Sequence, residues 1–293
     1  MSGTLRVAVL GPGGVGGLLA TLLARQGHSV TCVARPETAA AIERSGLTLS
    51  SDRYGELTAA ARAVAELDTA VDVCLVTPKA TQLDHALERV PAQVLGNAVL
   101  VPFLNGIEHM DLLRRRYPAA RTVAGAIRVV ASRPSPGRFR HEGQLAAVQL
   151  APRAEDLAGA LEAAGLDVTS RPDEAGLLWD KLSFLAPVAL LTTQTGSSLG
   201  PVREQRGDDL AAVVREVAAV ARADGADTDA EAVLRFTATV PTGMRSSMQR
   251  DAEAGRPTEL EAIGGAVLRA AQRHGVDVPV TERIVTELRT RLA

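Results

Sequence analysis

The chain is rich in arginine and almost free of lysine. Of its 32 basic residues, only Lys79 and Lys181 are lysines. Lys181 heads the apolar run "WDKLSFLAPVALLTT", residues 179–193. An ammonium can give up a proton and be recharged, whereas a guanidinium stays charged under ordinary conditions. Apolar surroundings disfavour the charged ammonium and bring its pKa toward a useful range. The chemistry this suits is proton delivery to the alkoxide that develops when a hydride reduces a carbonyl. Periodicity alone leaves a second reading open, in which Lys181 lies at a helix edge and reaches solvent.

The second chemical signal is "VAVLGPGGVGG". Gly11, Gly13 and Gly16 have G-x-G-x-x-G spacing between a strand and a helix, and Gly14 lies among them. In such a turn the first glycine allows the tight bend. The second lets a pyrophosphate approach the backbone, and the third lets helix and strand pack closely. The helix N-terminus offers N–H groups and the positive end of its dipole to phosphates. A cofactor-free glycine turn is the alternative. At the end of the next strand, "TCVAR" has Arg35 where an NAD site usually carries an acid. A guanidinium suits a 2′-phosphate, so the expected cofactor is NADP(H). A solvated charge at a helix start is the other reading of Arg35.

The elements that must hold these residues follow from the hydrophobic pattern. Up to about residue 171, short apolar runs ("LRVAVLG", "SVTCVAR", "VDVCLVTP", "AVLVPFLN") alternate with helical segments, one expected from Lys79 to Val90. That pattern predicts a parallel sheet covered on both faces. Pro136-Gly137 in "SRPSPGRFRHEG" reads as a turn joining two strands. From residue 172 the apolar spacing is helical throughout and segments end in Gly. The expected fold is α/β: a Rossmann-like dinucleotide-binding domain over 1–171, then an all-α substrate domain over 172–293. A cleft between two such domains is a favoured ligand site.

Composition excludes several classes. A net charge of −2 makes no case for nucleic acid or an anionic membrane. No apolar run is read as reaching the ~20 residues of a membrane span. The N-terminus enters a strand almost at once, without a leader pattern. Cys32 and Cys74 lie in separate strand-like runs, and the five histidines show no ligand spacing. No metal site is expected, and the location expected is cytoplasmic.

The motifs together resemble the ketopantoate reductase family along essentially the whole chain. The resemblance rests on "GPGGVGG", "PKATQ" around Lys79, "LNGIEH" around Asn105, "GRFRHEG", "WDKL", "SSMQRDAEAGRPTELEAIGG" and "HGVDVP". It implies reduction of 2-dehydropantoate to pantoate by NADPH, as in pantothenate biosynthesis. It further implies that Lys181 is the general acid and that Glu259 organises the polar side of the site. Asn105 would lie near the nicotinamide ribose and the reacting groups, and Ser247 would bind the substrate carboxylate. Lys79 and Arg35 would lie along the adenosine end. Each has a plainer reading: Asn105-Gly106 as a turn, Ser246 and Ser247 as caps, Glu259 as a first-turn acid, and Lys79 as a helix-start charge.

The sequence also departs from the family. Asn residues usual four and eight positions after the lysine are Leu185 and Ala189 here, and a frequent Gln is Leu104. Positions i, i+4 and i+8 share a helix face, although Pro187 is expected to kink the helix. Replacing amides by hydrocarbon predicts a less polar pocket. The alternatives are therefore a paralogue acting on a less polar oxo acid or on an imine, or a non-catalytic NADPH-binding regulator. A homodimer through a C-terminal helix is compatible with the pattern.

Overall fold

The computed structural model describes residues 3–292. Contacts divide the chain into two units. The first runs to Leu104 and resumes from His109 to Pro172; the second comprises Asn105–Glu108 and the chain from Asp173 onward. The sequence boundary at 171/172 did not anticipate that the four residues from Asn105 to Glu108 make their contacts with the helical unit.

The α/β unit begins with β1 (Arg6–Leu10), α1 (Gly14–Arg25), β2 (Ser29–Val33) and α2 (Pro36–Ser45). Three short strands follow: β3 (Leu47–Ser51), β4 (Gly55–Ala59) and β5 (Arg62–Val64). Next come β6 (Val73–Val76), α3 (Leu83–Leu87), α4 (Ala92–Leu95), β7 (Val99–Pro102), α5 (His109–Arg116) and β8 (Arg121–Thr122). The unit ends with the hairpin strands β9 (Gly125–Ser135) and β10 (Arg138–Leu150), then α6 (Glu155–Ala163) and β11 (Asp167–Ser170).

Six strands form an all-parallel sheet in the order β5-β2-β1-β6-β7-β8. Counted within the sheet this is 3-2-1-4-5-6, the dinucleotide-binding order, with its switch point beside β1. The central strands are apolar because both faces are covered: Val7–Leu10 and Val73–Val76 are buried. α1 is buried from Gly16 to Leu23 because it packs on the parallel sheet and also on β3, β4, β9 and β10 of a second sheet. That sheet has the order β11-β10-β3-β4, with β9 paired antiparallel to β10. The turn between β9 and β10 contains Gly137 at φ +74, as Pro136-Gly137 predicts.

Two expectations need correction here. The helix expected over Lys79–Val90 is a 3₁₀ turn at Ala80–Gln82 followed by the five-residue α3. β3, β4 and β5 were not anticipated. β3 ("LTLSS") alternates buried and half-buried positions but is only five residues long with a polar end, while β4 ("GELTA") and β5 ("RAV") are short and largely exposed, without β-branched runs.

The helical unit contains α7 (Glu174–Thr195), α8 (Leu199–Gln205), α9 (Gly207–Ala223), α10 (Ala230–Thr239) and α11 (Ser247–Glu253). A π-helical turn at Glu261–Gly265 leads into α12 (Ala266–His274), and α13 (Pro279–Leu292) follows. α7 is the hub, packing against α8, α9, α10, α11, α13 and the π turn. Asp173 caps it by accepting from Gly176 N at 3.0 Å, and Gly196 at φ +68 ends it. Trp179 anchors its first half, donating from Nε1 to Asp224 at 2.8 Å. The helix continues through Pro187, which removes the usual donor to Ser183 O. Contrary to the sequence reading, these 22 residues are long and apolar enough to span a membrane by length and composition, with a window mean hydropathy of 1.3. Burial of 67% of that window explains the composition as that of a core helix.

Cys32 and Cys74 are free and buried in adjoining parts of the parallel sheet. Burial pushes both thiols up to about 12. Neither should react with Ellman's reagent in the folded protein at mildly alkaline pH, and both should react in denaturant; rapid labelling of the native protein would contradict this packing.

Candidate active site

The α/β unit builds a phosphate-type turn. Gly11 adopts φ +74, and a β-carbon there would lie 3.0 Å from Pro78 N. Gly13 N donates to Gly11 O at 2.6 Å, and Gly17 N to Gly13 O at 2.8 Å, which starts α1. Thr77, just after β6, donates from its hydroxyl to Leu10 O and Gly11 O, each at 2.9 Å, and so clamps the turn. A β-carbon at Gly16 would overlap Thr77 Oγ1, and one at Gly14 would overlap the Ala131 carbonyl of β9. Those two glycines therefore answer to packing. Gly13 has nothing nearer than Gly11 O of its own turn, at 3.8 Å, which leaves its backbone open to a ligand. The first-turn N–H groups of α1 face that side without intrahelical acceptors.

Arg35 is exposed immediately before Pro36, at the N-cap of α2, where its carbonyl accepts from Ala39 N at 2.9 Å; its guanidinium forms no hydrogen bond or ion pair among the described residues. Lys79 is half-buried before the 3₁₀ turn that follows β6. The turn and Arg35 thus have the character of a phosphate cradle and an available guanidinium, which fits a phosphorylated dinucleotide.

The helical unit collects the remaining residues. Asn105 Nδ2 donates to Glu259 Oε2 at 2.8 Å, joining residues 154 positions apart. Glu259 is only 6% exposed, so its polar partners matter energetically. It lies just before the π turn, a type of irregularity frequent at functional sites. Gly106, at φ +84, is pressed against the Ala262 carbonyl of that turn, where any β-carbon would overlap. Glu108 is held bidentately by Arg269, at 2.8 and 2.7 Å. Arg269 also donates to the Glu261 carboxylate and carbonyl, and Arg289 holds Glu261 through two bonds of 2.7 and 2.9 Å. The Arg289 guanidinium, with Arg269 adding to it, holds the Glu261 carboxyl below its ordinary 4.5.

Lys181 is half-buried on α7, and Leu185 and Ala189 follow on its face. Thr192, 11 residues on, returns to that face about 16 Å along the axis. It shares a 2.9 Å hydrogen bond with Ser246 Oγ. Ser246 is the cap of α11, accepting from Gln249 N at 3.0 Å. This separates the two serines: Ser246 is buried and structural, whereas Ser247, the first residue of α11, is exposed.

Sequence reasoning missed Thr77, Glu108, Arg269, Glu261 and Arg289. The last four meet across separations of up to 161 residues, from a turn (Glu108), the π turn (Glu261) and two helices, and such charged residues carry no local mark of their pairing.

Asn105→Ala removes a donor to a buried carboxylate. It should cost about 1.5–3 kcal/mol of stability, by the usual worth of a hydrogen bond to a charged group. Urea unfolding checks this, and an unchanged midpoint would show that the pair is not held in solution.

The model of the family described as Ketopantoate reductase PanE/ApbA matches residues 7–155, and the one described as Ketopantoate reductase PanE/ApbA C terminal matches residues 175–291. A 2-dehydropantoate 2-reductase of Mycobacterium tuberculosis (strain H37Rv) is 31% identical over 293 residues, with 95% of each chain covered. A PanE/ApbA family ketopantoate reductase from Ralstonia eutropha JMP134 superimposes with a TM-score of 0.89 at 28% identity, covering 98% of both chains. A D-mandelate dehydrogenase with NADH and anilino(oxo)acetate gives a TM-score of 0.88 at 22% identity, again covering 98% of both chains, a likeness of fold alone.

Proposed function

From the premise that this chain belongs to the ketopantoate reductase family, an oxidoreductase family that uses a nicotinamide cofactor, we propose that it reduces a 2-oxo acid with NADPH. The leading activity is reduction of 2-dehydropantoate to pantoate, in the cytoplasm. The observation that carries this reading is the 2.8 Å Asn105–Glu259 pair, built into the same helical unit as Lys181 and Ser247.

Gly13 and the α1 N-terminus would hold the pyrophosphate, in a turn whose shape Gly11, Gly14 and Gly16 make possible, with Lys79 and Arg35 toward the adenosine end. When bound, the reduced nicotinamide supplies a hydride to C2 of the substrate. Lys181 gives its proton to the oxygen of that carbonyl and is recharged from solvent. Arginine cannot take this role because it does not release its proton. Ser247 donates from the exposed start of α11 to the substrate carboxylate. Glu259 fixes the Asn105 amide, which leaves the amide oxygen to orient groups in the site.

One observation favours a second reading within the same chemistry. On the Lys181 face the half-buried Leu185 removes one amide group; Ala189, where the second was expected to face the pocket, is fully buried in the core. A pocket that lacks that amide gains little from a substrate hydroxyl. This supports a paralogue whose oxo acid is less polar than 2-dehydropantoate.

The reading is tested by following NADPH absorbance over a panel of 2-oxo acids. Lys181→Ala should lower kcat at least about 100-fold, in line with the loss of a general acid, while NADPH still binds. Oxidation that depends on added amine would favour imine reduction. Tight NADPH binding with no turnover on any oxo acid would favour the regulatory reading.

Cofactor choice has its own test. Arg35→Ala should weaken NADPH by about 10-fold or more, the scale of one charge-assisted bond to phosphate, and leave NADH affinity nearly unchanged. Equal weakening of both would remove Arg35 from the 2′-phosphate.

A further inference from the structure

The chain is poor in aromatic residues, with only four Phe in 293 residues. Two of the four, Phe184 of α7 and Phe236 of α10, meet edge to face, with centroids 5.1 Å apart and planes at 71°. Phe184 is three residues after Lys181, and Leu185 is four after it. On a helix those separations put side chains next to one another, with β-carbons about 5–6 Å apart. All three are half-buried.

Phe236 is 51% exposed, and among the described residues of the helical unit it is the one large apolar side chain that open to solvent. Its helix is nevertheless firmly placed. Asp229 caps α10 through Glu231 N at 2.9 Å, Val233 and Leu234 pack on the core, and Arg203 donates to the carbonyls of Thr237 and Val240. The exposed ring is thus held by structure and not by a loose end of chain.

We infer that Phe184 and Phe236, with Leu185, form the subsite for the side chain of the oxo acid, and that they select an aromatic or branched apolar substituent on C2. This deepens the second reading above, a paralogue acting on a less polar oxo acid, in place of the 2-dehydropantoate reading, and it rests on Lys181 as proton donor. The surface is amphiphilic in the same sense as such a substrate. An ammonium at one end meets the oxo-acid head, and apolar and aromatic groups beside it meet a hydrocarbon tail. Of the two positions where the sequence pattern expects amides to meet a hydroxylated tail, Leu185 is half-buried beside Lys181, and Ala189 is closed into the core of the helical unit. An edge-to-face pair also presents a free ring face, which a third ring can join at favourable offset geometry.

The experiment compares phenylglyoxylate with pyruvate as substrates for the full-length protein and its Phe236→Ala and Phe236→Leu variants. Calorimetric binding of D-mandelate and D-lactate serves as a readout independent of turnover. The wild type should prefer phenylglyoxylate in kcat/KM by at least about 10-fold, as a well-filled apolar pocket allows. Phe236→Ala should lower the phenylglyoxylate-to-pyruvate ratio about 10-fold and weaken D-mandelate more than D-lactate, and Phe236→Leu should recover part of both. An unchanged ratio in Phe236→Ala, or 2-dehydropantoate preferred over phenylglyoxylate, would overturn the inference. Failure of the underlying reading looks different: no oxo acid is reduced, and Lys181→Ala matches the wild type. In that event, D-mandelate binding lost in Phe236→Ala would still support the subsite, and binding equal in both would overturn it.

Discussion

The candidate site depends on how four consecutive residues, Asn105 to Glu108, are held. Each is tied to the helical unit by a different interaction. Asn105 donates to buried Glu259, and Gly106 lies against the Ala262 carbonyl. Ile107 packs on the helical core, and Glu108 is gripped by Arg269. The Asn105 bond to a buried carboxylate is the strongest of these contacts, and the Glu108 pair the weakest. An exposed ion pair contributes little, and Arg269 and Glu108 are each about 40% exposed. Their effect comes from acting on adjacent residues. With the backbone fixed at Gly106, the Asn105 amide has little conformational freedom left to lose on binding Glu259. The π turn has a matching part, since it leads directly from Glu259 and supplies both the Ala262 carbonyl and Glu261, the second acid of the Arg269 network.

α7 imposes the complementary constraint. It is the most apolar long helix of the unit because it is surrounded by other helices, yet it carries the half-buried Lys181. Trp179 fixes the preceding turn through Asp224, and the Thr192–Ser246 bond fixes the far end against α11. The face between those anchors can hardly shift along its axis. Position on this helix therefore translates directly into position in the site.

Much of this was legible in the sequence. Alternating apolar runs gave away the parallel sheet because a doubly covered strand must be apolar along its length. The glycine spacing marked the turn because only a tight, closely packed crossing needs glycine at those places. A lysine in an arginine-rich chain singled out Lys181 as a candidate proton donor, with a helix-edge charge reaching solvent as the other reading. What stayed hidden was of two kinds. β3 to β5 are short and exposed on one side, so their composition looks like loop or helix. The pairings that hold the site, Glu108 with Arg269 and Asn105 with Glu259, join residues more than 150 positions apart. No local pattern records which surface arginine meets which acid. The sequence could also not divide the two neighbouring serines, because the choice of cap depends on where α11 docks on α7.

The division of labour among these residues explains how such a site can change its substrate and keep its reaction. Asn105 and Glu259 are bound into backbone-level constraints: a positive φ, a close carbonyl and a π turn. Altering any of them disturbs the others, so this corner of the helical unit is hard to vary one residue at a time. Phe184, Leu185 and Phe236 are tied by none of these. Their side chains project from helices whose placement is settled by other residues, Trp179 and Asp173 for α7 and Asp229 and Arg203 for α10. Substitution on those faces changes shape and polarity without moving the backbone that carries Lys181. An amide-to-hydrocarbon exchange at the half-buried position 185 is then cheap for the fold, and a hydroxyl brought beside Leu185 loses water and gains no partner, whereas Ala189 is closed into the core.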